Sequence, residues 1–359
     1  MKLKHQILIF VTLFTKIIIS QDFHFSQFNE NPSLINPALT GATHVIRVSV
    51  IYKDQWKAVT APYTTYGFSF ESKFKASNWE KADPNRTMIF KKSTNRIAGG
   101  LSVYNDKAGD GRMGTLQSNL SLAMFFPLNK SSSLSFGLQG NFTQRKVDNS
   151  KFIYPSQYNG TVYDPNLANG EIYSQQNFTY PSFAAGALWS YGQDEKSIAA
   201  NDQVKALIGF STYHINQPKQ NFVAGESEKL YRKYVFHGNL LFGLPNTMFA
   251  VAPTWLVQVQ GRSSEIIAGT VIKYYIKDDS KYTGFIKRSS IGLGISYRFK
   301  DAVIANLLIE TGKYAIGLSY DINASGLSQV SKGRGGFEIM VRFVTPAAYL
   351  YQRRSKAMY

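Results

Sequence analysis

The stretch Tyr314-Ala315-Ile316-Gly317-Leu318-Ser319-Tyr320-Asp321-Ile322 decides the fold. Successive side chains of an extended strand point to opposite faces, so Tyr314, Ile316, Leu318, Tyr320 and Ile322 share one side, and Ala315, Gly317, Ser319 and Asp321 share the other. A large apolar face backed by a small or polar one suits a strand with lipid outside and a lumen inside.

The same period recurs in both directions from this stretch. Ile291, Leu293, Ile295, Tyr297 and Phe299 stand opposite Gly292, Gly294, Ser296 and Arg298; Phe337, Ile339, Val341 and Phe343 stand opposite Glu338, Met340 and Arg342. Tyr66, Phe68 and Phe70 alternate with Gly67, Ser69 and Glu71, and Leu134, Phe136 and Leu138 with Ser135, Gly137 and Gln139. Trp255, Val257 and Val259 alternate with Thr254, Leu256 and Gln258, where Leu256 breaks the rule. Fourteen segments follow it, at 45–53, 63–75, 95–106, 114–126, 133–145, 180–193, 202–214, 230–244, 248–261, 264–277, 285–299, 301–311, 312–322 and 334–344. An even count returns both ends to the periplasmic side, as single-chain bacterial barrels require. A soluble sandwich or lipocalin-like barrel also alternates, but this many strands with 25 Phe and 22 Tyr fits the aromatic girdles of a membrane barrel better.

Short turns are expected at 128–131, 244–247 and 311–313, where Asn, Gly and Pro supply turn geometry. Longer connections are expected at 105–114, 146–179, 215–229 and 324–333 on the outer side, and at 76–94 in the periplasm. The 146–179 connection is too long for a simple turn and marks a functional or folded-in loop.

Residues 1–20 read as a secretory signal: Lys2, Lys4 and His5 precede an apolar run, with cleavage expected after Ser20. Removing its three lysines from a formal charge of +17 leaves +14. That charge favours anionic partners such as acidic lipid or an acidic protein surface. Nucleic acid is a poor reading, because the basic residues are scattered and form no stripe. There is no cysteine, which excludes disulfides, thiolate metal sites and thiol catalysis. No apolar run after residue 20 approaches the length of a membrane helix.

Between signal and first strand lies Asp22-Phe-His-Phe-Ser-Gln-Phe-Asn-Glu-Asn-Pro-Ser-Leu-Ile-Asn-Pro-Ala-Leu-Thr-Gly41. It is polar and aromatic, with two Asn-Pro steps, and it sits where an exported barrel places a plug. Proline fixes its own backbone and asparagine satisfies nearby backbone groups, so such a segment orders without being a strand. The chain thus divides into a signal at 1–20, a plug segment at 21–44, a barrel at 45–344 and a basic tail at 345–359. The fold class is all-β, an antiparallel transmembrane barrel of about fourteen strands with its lumen plugged.

Catalysis has little to stand on. The five histidines show no HExxH spacing, and there is no Gly-x-Ser-x-Gly elbow or phosphate loop. A hydrolase would have to draw on His214 and His237, which read better as strand-end polar residues. Asn105-Asp106-Lys107-Ala108-Gly109-Asp110-Gly111 resembles a calcium loop only loosely and is expected to be a hairpin loop. No metal or other cofactor is implied. The inward charges Asp321, Glu338, Arg342 and Arg298 must be paired or hydrated. Candidate lumen or plug binding residues are therefore Asn31, Pro32, Asn36, Pro37, Trp56, Asp106, His214, Asp321, Glu338 and Arg342.

Gln21-Asp-Phe-His-Phe-Ser-Gln-Phe-Asn-Glu-Asn-Pro, Asn36-Pro-Ala-Leu-Thr-Gly and Val48-Ser-Val-Ile-Tyr-Lys-Asp-Gln-Trp56 together resemble the start of the PorP/SprF family of type IX secretion membrane proteins. The similarity continues through Pro62-Tyr-Thr-Thr-Tyr66, Gly209-Phe-Ser-Thr-Tyr-His214, Pro253-Thr-Trp-Leu, Ile316-Gly-Leu-Ser-Tyr-Asp321 and Gly336-Phe-Glu-Ile339. The resemblance implies a Bacteroidetes outer-membrane barrel that serves type IX secretion and, in some members, export or surface attachment of gliding adhesins. Its implied partners are outer-membrane lipid, the C-terminal domain of a secreted adhesin and periplasmic secretion components. The alternative is a transport channel for hydrophobic or small solutes, because an N-terminal Asn-Pro-Ala segment is also similar to the hatch of fatty-acid transporters.

Overall fold

The computed structural model describes residues 24–55, 63–74, 97–108, 113–129, 131–147, 154–168, 177–193, 201–220, 228–277, 289–325 and 333–345. The expected signal, the 76–94 stretch, Trp56 and all of the tail beyond residue 345 lie outside the described residues.

Fourteen long strands form the wall: β1 (Ile46–Gln55), β2 (Tyr63–Phe74), β3 (Ile97–Ala108), β4 (Met113–Pro127), β5 (Ser132–Lys146), β6 (Asn177–Gln193), β7 (Val204–Tyr213), β10 (Lys233–Gly243), β11 (Phe249–Gln260), β12 (Ser263–Lys277), β13 (Ser289–Arg298), β14 (Ala302–Thr311), β15 (Tyr314–Asn323) and β16 (Arg334–Val344). Two short strands, β8 (Lys219–Gln220) and β9 (Glu228–Lys229), pair with each other in the connection after β7. The long strands run up and down in sequence order, and β1 closes the barrel against β16 from Arg47↔Val344 to Gln55↔Gly336. Closure satisfies every strand edge, which the hydrocarbon of a bilayer demands.

Each expected segment is a strand here, with ends moved by a few residues. At 285–299, β13 is described from Ser289 to Arg298, and residues 285–288 lie outside the described residues. Asp106, expected in a hairpin loop, lies within β3, which continues to Ala108, and its carboxylate accepts a hydrogen bond from Thr65 Oγ1 at 2.7 Å on the neighbouring strand.

The two faces follow the sequence period. On β13, Leu293 and Ile295 are 64% and 67% exposed while Ser290 and Ser296 are buried. So much exposed aliphatic surface around a closed ring belongs in lipid, not water. Outward aromatic pairs gather at the two ends of the wall: Tyr52–Tyr66, Phe210–Tyr234 and Tyr297–Phe299 at one, and Phe126–Phe136, Phe249–Tyr274 and Tyr314–Phe343 at the other. These are the interfacial belts of a membrane barrel. Leu256, the exception to alternation, points inward and is buried with Val235, Ile267, Ile304 and Tyr213 around Phe28 and Ile35 of the N-terminal segment. Its apolar side chain has an apolar partner inside the ring.

Candidate functional site

Residues 24–42 fold as three single turns, Phe28–Glu30, Pro32–Ile35 and Pro37–Leu39, each joined to the next by an asparagine. Pro32 and Pro37 open their turns, where proline's fixed φ fits and its missing N–H removes no bond. The segment's bonds reach the inward faces of strands around the ring, from β16 and β1 across to β7 and β10. Only the interior of the barrel touches all of these.

The first part runs along β1 in reverse. Lys53 Nζ donates to the His24 carbonyl at 2.8 Å, and Arg47 Nη2 donates to the Glu30 carbonyl at 2.8 Å. Between them, Glu338 on β16 accepts the backbone N–H groups of Ser26 at 2.6 Å and Gln27 at 3.0 Å, with Lys53 Nζ 3.3 Å away. Glu338 is fully buried, so its charge is balanced by these donors and not by water. Ser26 Oγ donates to Asp321 at 2.7 Å and accepts from Arg298 Nη2 at 2.6 Å, while Arg298 Nη1 bonds Asp321 and Asp301, both at 3.0 Å. A register shift between Tyr320 and Ile322 falls at Asp321, and such bulges re-aim side chains.

A second anchor holds Glu30. Arg342 Nη1 meets both carboxylate oxygens at 2.8 Å, and Arg47 Nη2 meets Oε2 at 2.9 Å. Burial by itself would raise the Glu30 carboxyl; Arg342 and Arg47 outweigh it and hold the group below the usual carboxylate range. Arg342 also reaches Glu310, which pairs with Lys273 at 2.8 Å. His24 is the opposite case: burial, then Lys53, Arg298 and Lys233, push its pKa well down, so it is neutral and its 3.7 Å approach to Glu265 is not an ion pair.

The third anchor is Asn36. Its Oδ1 accepts from the Ala38 N–H at 2.9 Å, while Nδ2 donates to the Ala187 carbonyl at 2.9 Å and lies 3.1 Å from His237 Nε2. Around it the wall bonds the segment's backbone: Tyr213 to the Ser33 carbonyl at 3.0 Å, Ser211 to that of Ile35, and Ser135 to that of Ala38 at 3.0 Å. Glu71 accepts the Gly41 N–H at 2.8 Å. The approach is close enough that a Cβ on Gly137 would strike the Pro37 and Ala38 backbone, and one on Gly186 would strike Asn36.

Of the residues anticipated from sequence, Asp321, Glu338 and Arg342 bond the segment at Ser26, Gln27 and Glu30, Asn36 and Pro37 belong to the separate third anchor, and Asn31 and Pro32 are buried within the segment. Asp106 lies on the wall beside Thr65, and His214 follows β7 with φ 55°. Sequence reasoning missed Ser26, Glu30, Arg47, Lys53 and Glu71. Arg47 and Lys53 were legible, since they fall on the inward face of β1 with Ser49 and Ile51.

Residues 18–343 match the family model described as type IX secretion system membrane protein PorP/SprF. No curated protein matches. Among solved structures, the toluene transporter TbuX of Ralstonia pickettii is similar at 11% identity and a TM-score of 0.45, over 89% of this chain and 94% of its own. A Pseudomonas aeruginosa FadL homologue is similar at 11% and 0.40, over 87% and 93%. BamA of Haemophilus ducreyi lacking POTRA domains 1–3 is similar at 10% and 0.39, over 84% and 70%. These likenesses are too distant to bear on function.

Proposed function

Because the chain belongs to the PorP/SprF family of type IX secretion system membrane proteins, we propose that this outer-membrane barrel supports the export or surface attachment of large adhesins of the gliding type, by binding protein and not by catalysis. The observation that carries the reading is the triple anchoring of residues 24–42 among the inward faces. While residues 24–42 fill the lumen, the barrel is a plugged scaffold whose mouths and connections are open to partners. With the strand ends on the periplasmic side, the connection after β5 lies outside. There Tyr158 and Tyr163 form a bridge next to the turn Pro155–Gln157, and Tyr158 and Val162 are 57% and 59% exposed. Aromatic and aliphatic exposure of this kind suits a protein partner.

Affinity purification from native membranes tests this. The C-terminal domain of an adhesin should co-purify together with periplasmic secretion components; recovery of only lipid and barrel-assembly factors would count against it. In liposomes the intact barrel should pass small hydrophobic solutes no faster than protein-free vesicles, whereas faster flux would favour the channel alternative.

A further inference from the structure

We propose that the inner wall is a binding surface for a turn-rich polypeptide segment and that residues 24–42 occupy it as an intramolecular ligand, in competition with a segment of a partner protein. This deepens the protein-binding reading above and rests on it for the partner's identity, but not for the existence of the surface.

The wall holds the segment through its backbone as well as through side chains such as Ser26, Glu30, Ser33 and Asn36. Lys53, Arg47, Tyr213, Ser211 and Ser135 donate to the carbonyls of His24, Glu30, Ser33, Ile35 and Ala38. The Glu338 and Glu71 carboxylates accept the N–H groups of Ser26, Gln27 and Gly41. These main-chain contacts are open to any chain able to take the same turning path, and the pockets supply selectivity.

Pockets are present too. Phe28 and Ile35 fill one lined by Val235, Leu256, Ile267 and Ile304. Phe25 fills another made by Ile51, Tyr104 and Met340. Inward-facing aliphatic side chains have no use in a water-filled channel, and they fit a ligand carrying aromatic or branched residues. Between the pockets, Arg47 and Arg342 hold the Glu30 carboxylate. The ligand chemistry is therefore a peptide of successive single turns with aromatic or aliphatic residues spaced like Phe25, Phe28 and Ile35, and a carboxylate between the first group and the last.

The test uses the full chain with a protease site inserted at the exposed Thr43, the segment's link to β1. Folded barrel in detergent is cut there and exposed to a labelled synthetic peptide of residues 24–42. The cut segment should remain bound and then exchange with the labelled peptide. A peptide with serine in place of Phe25, Phe28 and Ile35 should compete roughly a hundredfold more weakly or worse. Three results would overturn the proposal: a cut segment that never exchanges, which makes it a fixed part of the fold; a barrel that loses its β-structure on cutting; or equal competition by the serine peptide, which removes the pockets' role. Exchange that succeeds in the purified barrel while no adhesin co-purifies from membranes would sustain the surface and sink only the proposed partner.

Discussion

Replacing Glu338 with alanine should free the start of the N-terminal segment while leaving the wall standing. The carboxylate accepts two consecutive backbone N–H groups and faces Lys53 in a site without water access. Hydrogen bonds to a charged group each contribute about 1.5–3 kcal/mol, and breaking a buried ion pair from one side costs about 3–5 kcal/mol. These overlap, because the same atoms make both, so the expected loss for docking of residues 24–30 is about 3–5 kcal/mol and not their sum. That corresponds to roughly two to four powers of ten in local opening. The chain has no cysteine, so Asn29→Cys gives a single reporter whose maleimide labelling follows opening. Urea unfolding in vesicles, read by electrophoretic mobility, follows the barrel as a whole. Glu338→Gln, which keeps an acceptor and loses the charge, should fall between. Joint replacement by Lys53→Met and Glu338→Leu should recover part of the loss, because neither charge is then stranded. Unchanged labelling of position 29 in Glu338→Ala, with a stability change under about 1 kcal/mol, would refute the reasoning that this carboxylate pins the segment.

Gly137→Val puts a side chain where the Pro37 and Ala38 backbone lies. It should dislodge residues 36–38 at a cost of about 1–3 kcal/mol, seen as faster proteolysis near residue 40 with the same far-UV spectrum. Leu256→Ala should cost about 2–5 kcal/mol in urea unfolding, because it opens a cavity beside Phe28 and Ile35. Docking should also weaken in acid, read as cysteine labelling at position 29 against pH. Glu30, held below the usual carboxylate range by Arg342 and Arg47 against the effect of burial, contributes above its unfolded pKa and loses that contribution as pH falls through the folded value. His44 acts in the same direction. Burial, then Arg342 and Arg47, lower its pKa to about 3, so it stays neutral when docked and weakens docking as pH falls from about 6.5. Glu30→Gln should remove the more acidic limb and leave the His44 limb.

The wall was legible because lipid and lumen impose opposite demands on adjacent residues, and Tyr314 to Ile322 obeys them without exception. Strand ends are less so, since the rule lapses where the wall leaves the membrane: alternation ends the third segment at Asp106, whereas β3 runs on to Ala108. Leu256 shows the other limit. Alternation marks it as an anomaly, but nothing local says that Phe28 and Ile35 stand opposite it. Ser26 and Glu338 are 312 residues apart and meet only because the barrel closes. The inward charges could be named from their strands, but their pairing depends on the closed ring, which brings Arg298 to Asp321 and Lys53 to Glu338, and on the segment, which brings Glu30 to Arg342 and Arg47.

The seam between β1 and β16 gives the chain a definite order of events. Glu338 and Arg342, which fasten the earliest part of the segment, both reside on the last strand to be synthesised. The segment therefore cannot be fastened at those points until the final strand arrives, and that strand reaches β1 only by bringing together the two ends of the wall. Sealing the cylinder and securing its contents become a single late step, slow because its contacts span nearly the whole polypeptide. A nascent barrel that stalls before this point holds residues 24–30 only through Lys53 and Arg47 of β1 and lacks the Glu338 and Arg342 anchors.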